Sequence, residues 1–212
     1  MEHDRRGDWF VTYTGRRFWP LDPREEDIDI DDIAHALALQ ARWNGHTTQF
    51  YSIASHSVAC ASVALAEYPK VPVIAQWALL HDAAEAYVSD VIRPLKRFLC
   101  FVTSPVDADP HGTAALVQPF KEIEDQVLCL IAHRFGLPWP MPSVVHTIDN
   151  RMLVTEGQAL TRFRGQLHWT KEQPWVDTEP YAVHVHGVSP EMAESHFRRL
   201  FLRLFPEHVS QA

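Results

Sequence analysis

Apolar residues recur at three- and four-residue spacings along most of the chain, and prolines or glycines mark where each run stops. Residues 9–20 are the exception. They alternate apolar and polar around Thr14-Gly15, which predicts a short β-hairpin that must pack on something else. An acidic stretch, Glu25 to Asp32, then leads into a helix. Asp31 and Asp32 suit its N-cap and first turn. Ile33, Ala36, Leu37 and Gln40 or Ala41 form its inner face, and the helix is expected to run to about Trp43 before Asn44-Gly45 stops it. A second helix is expected from about Phe50 to Glu67, with Ser52 or Thr48 near its cap. Pro69 and Pro72 separate it from a third, about Val73 to Val88. A shorter helix starts at Pro94 and reaches about Phe101, and residues 102–115 read as an irregular loop. Helices resume at about Leu116 to Phe135 and Ser143 to Arg164, the latter with Ser143 as N-cap. Residues 165–188 are mixed, with a candidate strand at Tyr181 to His186. Ser189 caps a last amphipathic helix, Pro190 to Leu204. The pattern predicts an all-α fold of six or seven helices with a small N-terminal hairpin. No linker divides residues 1–212, so a single domain with its core at about 30–165 is expected.

Composition narrows the function. Nineteen basic residues against 27 acidic ones give a formal charge of −8, which disfavours a protein that coats a nucleic acid polymer. A small anionic substrate remains compatible, because a metal ion reverses the local sign inside a pocket. Cys60, Cys100 and Cys129 are odd in number and lack a CxxC pair, which argues against both a disulfide framework and a cysteine zinc site. Reduced thiols, a charged N-terminus with no apolar leader and no long apolar stretch together point to a cytoplasmic protein away from membranes.

The 13 histidines direct attention to chemistry. Four apolar residues, Trp77 to Leu80, directly precede His81-Asp82, and burying that pair unpartnered would cost several kcal/mol. A divalent cation compensates efficiently. Glu85 lies one turn further on the same face. His56 sits among apolar neighbours in the second helix, and Asp149 lies on the apolar side of the helix that also carries Met152, Leu153 and Leu160. The plain alternative is a set of hydrogen-bonded core groups without an ion.

One histidine, then His-Asp, then one aspartate, on separate helices, resembles the HD-domain metal-dependent phosphohydrolase superfamily. The likeness is closest to its 5′-deoxynucleotidase branch, the YfbR-like proteins. It rests on Ser52-Ile53-Ala54-Ser55-His56-Ser57-Val58, on His81-Asp82-Ala83-Ala84-Glu85 followed by Ser89-Asp90 and Pro94-Leu95-Lys96, and on Arg42-Trp43. It spans residues 30–160. The resemblance implies an HD helical bundle with His56, His81, Asp82 and Asp149 as metal ligands. It also implies catalytic roles for Glu85 and Asp90, with Arg42, Trp43 and Lys96 contacting substrate. Asp90 equally suits a cap for the helix at Pro94, and Lys96 a solvated basic face. Glu156 reads as a partner for a nearby arginine rather than a ligand.

Mixed imidazole and carboxylate ligands suit Mn²⁺, Co²⁺, Fe²⁺, Ni²⁺ or Zn²⁺ better than Mg²⁺. His133 and His146 offer ligands for a second metal. The activity implied is 5′-nucleotidase action on deoxynucleoside monophosphates by attack of water on phosphorus. Triphosphohydrolase action on a dNTP such as dATP is the alternative. A di-iron oxygenase and a metal-stapled non-catalytic module are the readings from other classes. Family likeness also implies a homodimer, with the C-terminal helix, about 189–204, as either interface or core.

Overall fold

The structure, a computed structural model, describes residues 5–103, 116–162 and 178–211. It is mostly helical. Its elements in chain order are β1 (Phe10–Val11), β2 (Arg17–Phe18), α1 (Ile30–Leu39), α2 (Ile53–Glu67), α3 (Pro72–Leu80), α4 (Glu85–Val88), α5 (Arg93–Lys96), β3 (Cys100–Thr103), β4 (Leu116–Pro119), α6 (Phe120–Arg134), α7 (Ser143–Leu160) and α8 (Pro190–Leu204). They fall into two compact units, Met1–Ala36 with Ala83–Trp139, and Leu37–Asp82 with Pro140–Ala212. Among the described residues no helix is long and apolar enough to cross a membrane. His111 and the middle of the 165–188 segment lie outside the described residues.

In the first unit, the expected hairpin pairs Phe10 with Phe18 and Val11 with Arg17. Its partner is supplied by Asp32, which is buried and accepts from the Thr14 amide (2.6 Å) and hydroxyl (3.0 Å). Phe18 stacks on Tyr87 with ring centroids 4.3 Å apart, and the Tyr87 hydroxyl accepts from the Asp29 amide. A turn at Glu25–Asp27 packs on α6, whose Phe120, Ile123, Val127 and Ile131 are buried. The helix expected from Leu116 starts four residues later. Leu116–Pro119 instead pair antiparallel with Cys100–Thr103, which replaces the end of the expected Pro94–Phe101 helix. Phe101, Val102 and Thr103, which face Gln118, Val117 and Leu116, are residue types enriched in strands.

In the second unit, α2 packs against α3, α7 and α8. Ser52 caps α2 by accepting from the Ser55 amide, and Ser189 caps α8 by accepting from the Met192 amide, as their positions predict. Ser143 is not the cap of α7. It is the first helical residue, and Pro142 precedes it at the cap. The segment Tyr181 to His186 forms no strand; its Tyr181 amide donates to the Thr155 hydroxyl on α7 rather than to a ladder.

Two departures shape the functional region. The first helix stops at Leu39, not Trp43. The Arg42 amide bonds to the Tyr51 carbonyl, and the Ile53 amide to that of Gln40, so these groups tie two strands of chain together instead of extending the helix. Arg42–Gly45 then form a tight turn in which Trp43 (φ 59°) and Asn44 (φ 49°) are left-handed. The expected helix from Val73 to Val88 is broken after Leu80. His81 and Asp82 therefore stand in a turn and not at a helix centre. The His81 ring donates from Nδ1 to the Ala78 carbonyl at 2.9 Å, a side-chain bond that competes with the helix ladder.

The loop between Arg42 and α2 is also fixed from outside. The Thr48 amide bonds to the Leu160 carbonyl, and Gly187 lies against Phe50 so closely that a Cβ there would overlap the Phe50 carbonyl oxygen. Gly187→Ala should therefore destabilise the fold by about 1–3 kcal/mol, the usual cost of overpacking. Urea unfolding checks this, with an unchanged midpoint counting against the contact.

Candidate metal centre

Four side chains picked out by sequence meet within the second unit. His56 comes from the first turn of α2, His81 and Asp82 from the turn after α3, and Asp149 from α7. His56 Nε2 lies 3.2 Å from His81 Nε2, 3.6 Å from Asp82 Oδ2 and 3.2 Å from Asp149 Oδ1. His81 Nε2 lies 3.3 Å from Asp82 Oδ2 and 3.8 Å from Asp149 Oδ1. Donor atoms about 2.1 Å from a shared ion stand about 3.0–3.4 Å apart. The observed spacings are close to that range.

Both rings are committed at their other nitrogen. His81 Nδ1 donates to the Ala78 carbonyl, and His56 Nδ1 donates to Glu156 Oε1 at 2.5 Å. Each Nε2 therefore faces the two aspartates. A histidine whose far N–H is held by a carboxylate or carbonyl is oriented as metal-ligating histidines are.

Arg42 completes the cluster. Its Nε donates to Glu156 Oε2 (2.8 Å), while Nη1 and Nη2 reach Asp82 Oδ2 (3.4 Å) and Asp149 Oδ1 (3.3 Å). Trp43 Nε1 also reaches Glu156 Oε2, at 3.4 Å. Glu156 is thus the arginine partner the sequence suggested. Its grip on His56, 100 positions away, is not readable from spacing along α7.

The electrostatics follow from charge count. Three carboxylates and one guanidinium leave two negative charges when both imidazoles are neutral, in a site where the Arg42 side chain is only 12% exposed. A divalent cation balances that excess; so do two protons on the histidines. Burial disfavours a charged His56, as does Arg42, yet Cys60, Glu156 and Asp149 hold its imidazolium well above the usual range. Burial also opposes a charged His81, and Asp82 and Asp149 overcome it. Burial likewise works against ionised Asp82 and Asp149, but the two histidines keep both carboxyls well below theirs. Glu156, despite burial, is lowered to about 2 by Arg42 and His56.

Cys60 stands beside these groups. His56, Cys60 and His81 form a buried cluster whose ligating atoms lie within 4.8 Å of one another, so it could hold a metal ion. Cys60 Sγ is almost equidistant from His56 Nδ1 (3.9 Å) and Nε2 (3.6 Å), which places it over the ring face and off the Nε2 lone-pair direction. The aspartate oxygens are better placed. The Tyr51 hydroxyl is buried near Glu156 and Arg42.

The remaining candidates lie in the first unit. Glu85 is buried, and Lys96 Nζ sits 3.3 Å from it and 2.6 Å from Glu124. Asp90 is half-buried and follows Ser89, whose φ of 68° with ψ of 153° is a conformation most side chains avoid. Of the histidines considered for a second ion, His133 and His146 are both exposed, and among the described residues no second ligating cluster forms.

No family model matches the chain. It is 34% identical over 149 residues to YfdR of Escherichia coli strain K12, an alignment that covers 70% of each protein. The chain belongs to the YfdR family. An uncharacterised protein of Rhodobacter capsulatus is 36% identical over 142 residues, covering 65% of this chain and 63% of that protein. The name YfdR carries no activity with it, so function in this member of the family has to be argued from the site.

Arg42 is a cation that Asp82, Asp149 and Glu156 share, so its loss exposes the imbalance. Arg42→Met should destabilise the metal-free protein by about 3–5 kcal/mol, the cost of breaking a buried ion pair on one side. Added Mn²⁺ should raise the melting temperature of the variant. Equal melting temperatures for variant and wild type without metal would show the arginine to be dispensable.

Proposed function

We propose that this YfdR-family protein is an HD-type, metal-dependent phosphohydrolase that removes the 5′-phosphate from deoxynucleoside monophosphates. The observation that carries the reading is that His56 Nε2 and His81 Nε2 each lie within 3.2–3.8 Å of the other and of both Asp82 Oδ2 and Asp149 Oδ1, with both Nδ1 atoms already committed. These four residues are the ligands in this reading. Two imidazoles and two carboxylates fit Mn²⁺, Co²⁺, Fe²⁺, Ni²⁺ or Zn²⁺ and leave coordination positions for water and a phosphate oxygen. The ion would polarise the phosphate and make water a stronger nucleophile near neutral pH.

The chain supplies the rest. Water adds to phosphorus in line with the ester bond. The P–O5′ bond breaks, and orthophosphate and the deoxynucleoside leave. Glu85 is assigned to take the proton from that water, and Asp90 to return one to the departing 5′ oxygen. Arg42 would meet the phosphate with Nη1 and Nη2 while Glu156 retains Nε. Trp43, held beside it in a left-handed turn, would wall the sugar.

Purified protein supplied with Mn²⁺ or Co²⁺ should release orthophosphate from deoxynucleoside monophosphates, and EDTA should abolish release. Tripolyphosphate from a dNTP would replace this substrate assignment with the triphosphohydrolase one. Hydrolysis of neither, with every metal tried, would overturn the reading. Glu85→Ala should lower kcat by about 10²–10⁴ with metal content unchanged.

A further inference from the structure

Glu156 occupies a position that the ligands alone do not explain. Its side chain is fully buried, and its two oxygens serve two different elements. Oε1 accepts from His56 Nδ1 on α2. Oε2 accepts from Arg42 Nε and, at 3.4 Å, from Trp43 Nε1 in the tight turn before α2. Its backbone belongs to α7, the helix that also carries Asp149. One carboxylate therefore joins a nitrogen-donating ligand, a guanidinium and the helix of an oxygen-donating ligand.

Resting on the metal reading above, we infer that Glu156 is a positioning residue that sets both sides of the centre at once. Through Oε1 it fixes His56 as the Nδ1–H tautomer, so that Nε2 presents its lone pair toward His81, Asp82 and Asp149. Through Oε2 it holds Arg42 by Nε and leaves Nη1 and Nη2 turned to Asp82 and Asp149. Without it, the His56 ring would lose the partner that selects its tautomer, and Arg42 would lose its shortest ion pair. The left-handed conformations of Trp43 and Asn44 put Arg42 and Trp43 where both reach the same carboxylate oxygen. Glu156 does not touch the reacting atoms; it acts through His56 and Arg42.

The test uses the full chain and Co²⁺, whose affinity is read by competition with a chromophoric chelator and whose environment is read from its visible spectrum. Glu156→Ala should weaken Co²⁺ binding about 10- to 100-fold, as loss of such an outer partner does elsewhere, and should shift the spectrum. Glu156→Gln, which keeps an acceptor for His56 but lacks the charge for Arg42, should restore the spectrum while leaving part of the affinity loss. Wild-type affinity and spectrum in Glu156→Ala would overturn the inference. Histidine nitrogen chemical shifts in the Zn²⁺-loaded wild type give a second measurement that needs no folded variant. Protonated Nδ1 on His56 supports the assignment, and protonated Nε2 overturns it. A wild type that binds neither Co²⁺ nor Zn²⁺ would overturn the metal reading and this inference together, whereas metal binding with an unaltered variant removes the inference alone.

Discussion

The second unit is organised around a charge problem. Asp82, Asp149 and Glu156 are placed together where solvent access is poor, and their mutual repulsion is unfavourable unless positive charge is brought to them. Arg42 supplies one charge with a planar fork that can serve three carboxylates at once, which a lysine could not do. The remainder has to come from the two Nε2 positions, as protons or as a shared ion. Metal affinity should thus oppose proton uptake by His56 and His81, and the acids that raise the basicity of these rings also make them good ligands.

That requirement explains local features that would otherwise look unfavourable. Two consecutive non-glycine residues, Trp43 and Asn44, adopt left-handed backbone, a conformation that costs about 1–3 kcal/mol at each such position. The turn is compensated by the bonds it permits, chiefly Arg42 to Glu156 and the ties from Arg42 and Ile53 to Tyr51 and Gln40. The break after Leu80 has a similar logic. A continuous helix would turn His81 and Asp82 about 100° apart. In the turn that replaces it, both donors come within 3.6 Å of His56 Nε2.

These features also mark the limit of what sequence reveals. His56, His81, Asp82 and Asp149 were legible because each is an ionisable residue among apolar neighbours or on the apolar side of a helix, and such placement is costly without a partner. The caps at Ser52 and Ser189 were legible because a hydroxyl before an apolar helical run has one local use. The break at His81 was not, because it depends on a ring nitrogen reaching the Ala78 carbonyl, and helical propensity from Pro72 to Val88 gives no sign of it. The β3–β4 pair was missed for a related reason. Each strand has only four residues, and the segment between them, 104–115, reads as a loop whichever structure flanks it. Glu156 was read correctly as an arginine partner, but its second oxygen is committed to a residue 100 positions away, and no spacing rule carries that.

The position of Cys60 bears on which ion the centre would select. A thiolate ligand would favour soft ions, zinc above all, and would add a third uncompensated negative charge to the cluster. Cys60 follows His56 by one helical turn, so α2 brings the two together whether or not sulfur binds anything. Its nearly equal distances to both ring nitrogens are those of a buried thiol packed on an imidazole face. With sulfur out of the lone-pair direction, the donors in the proposed reading would be two nitrogens and two oxygens. Such a set would leave a divalent ion neutralised by the protein yet open to an anionic oxygen, with Arg42 alongside.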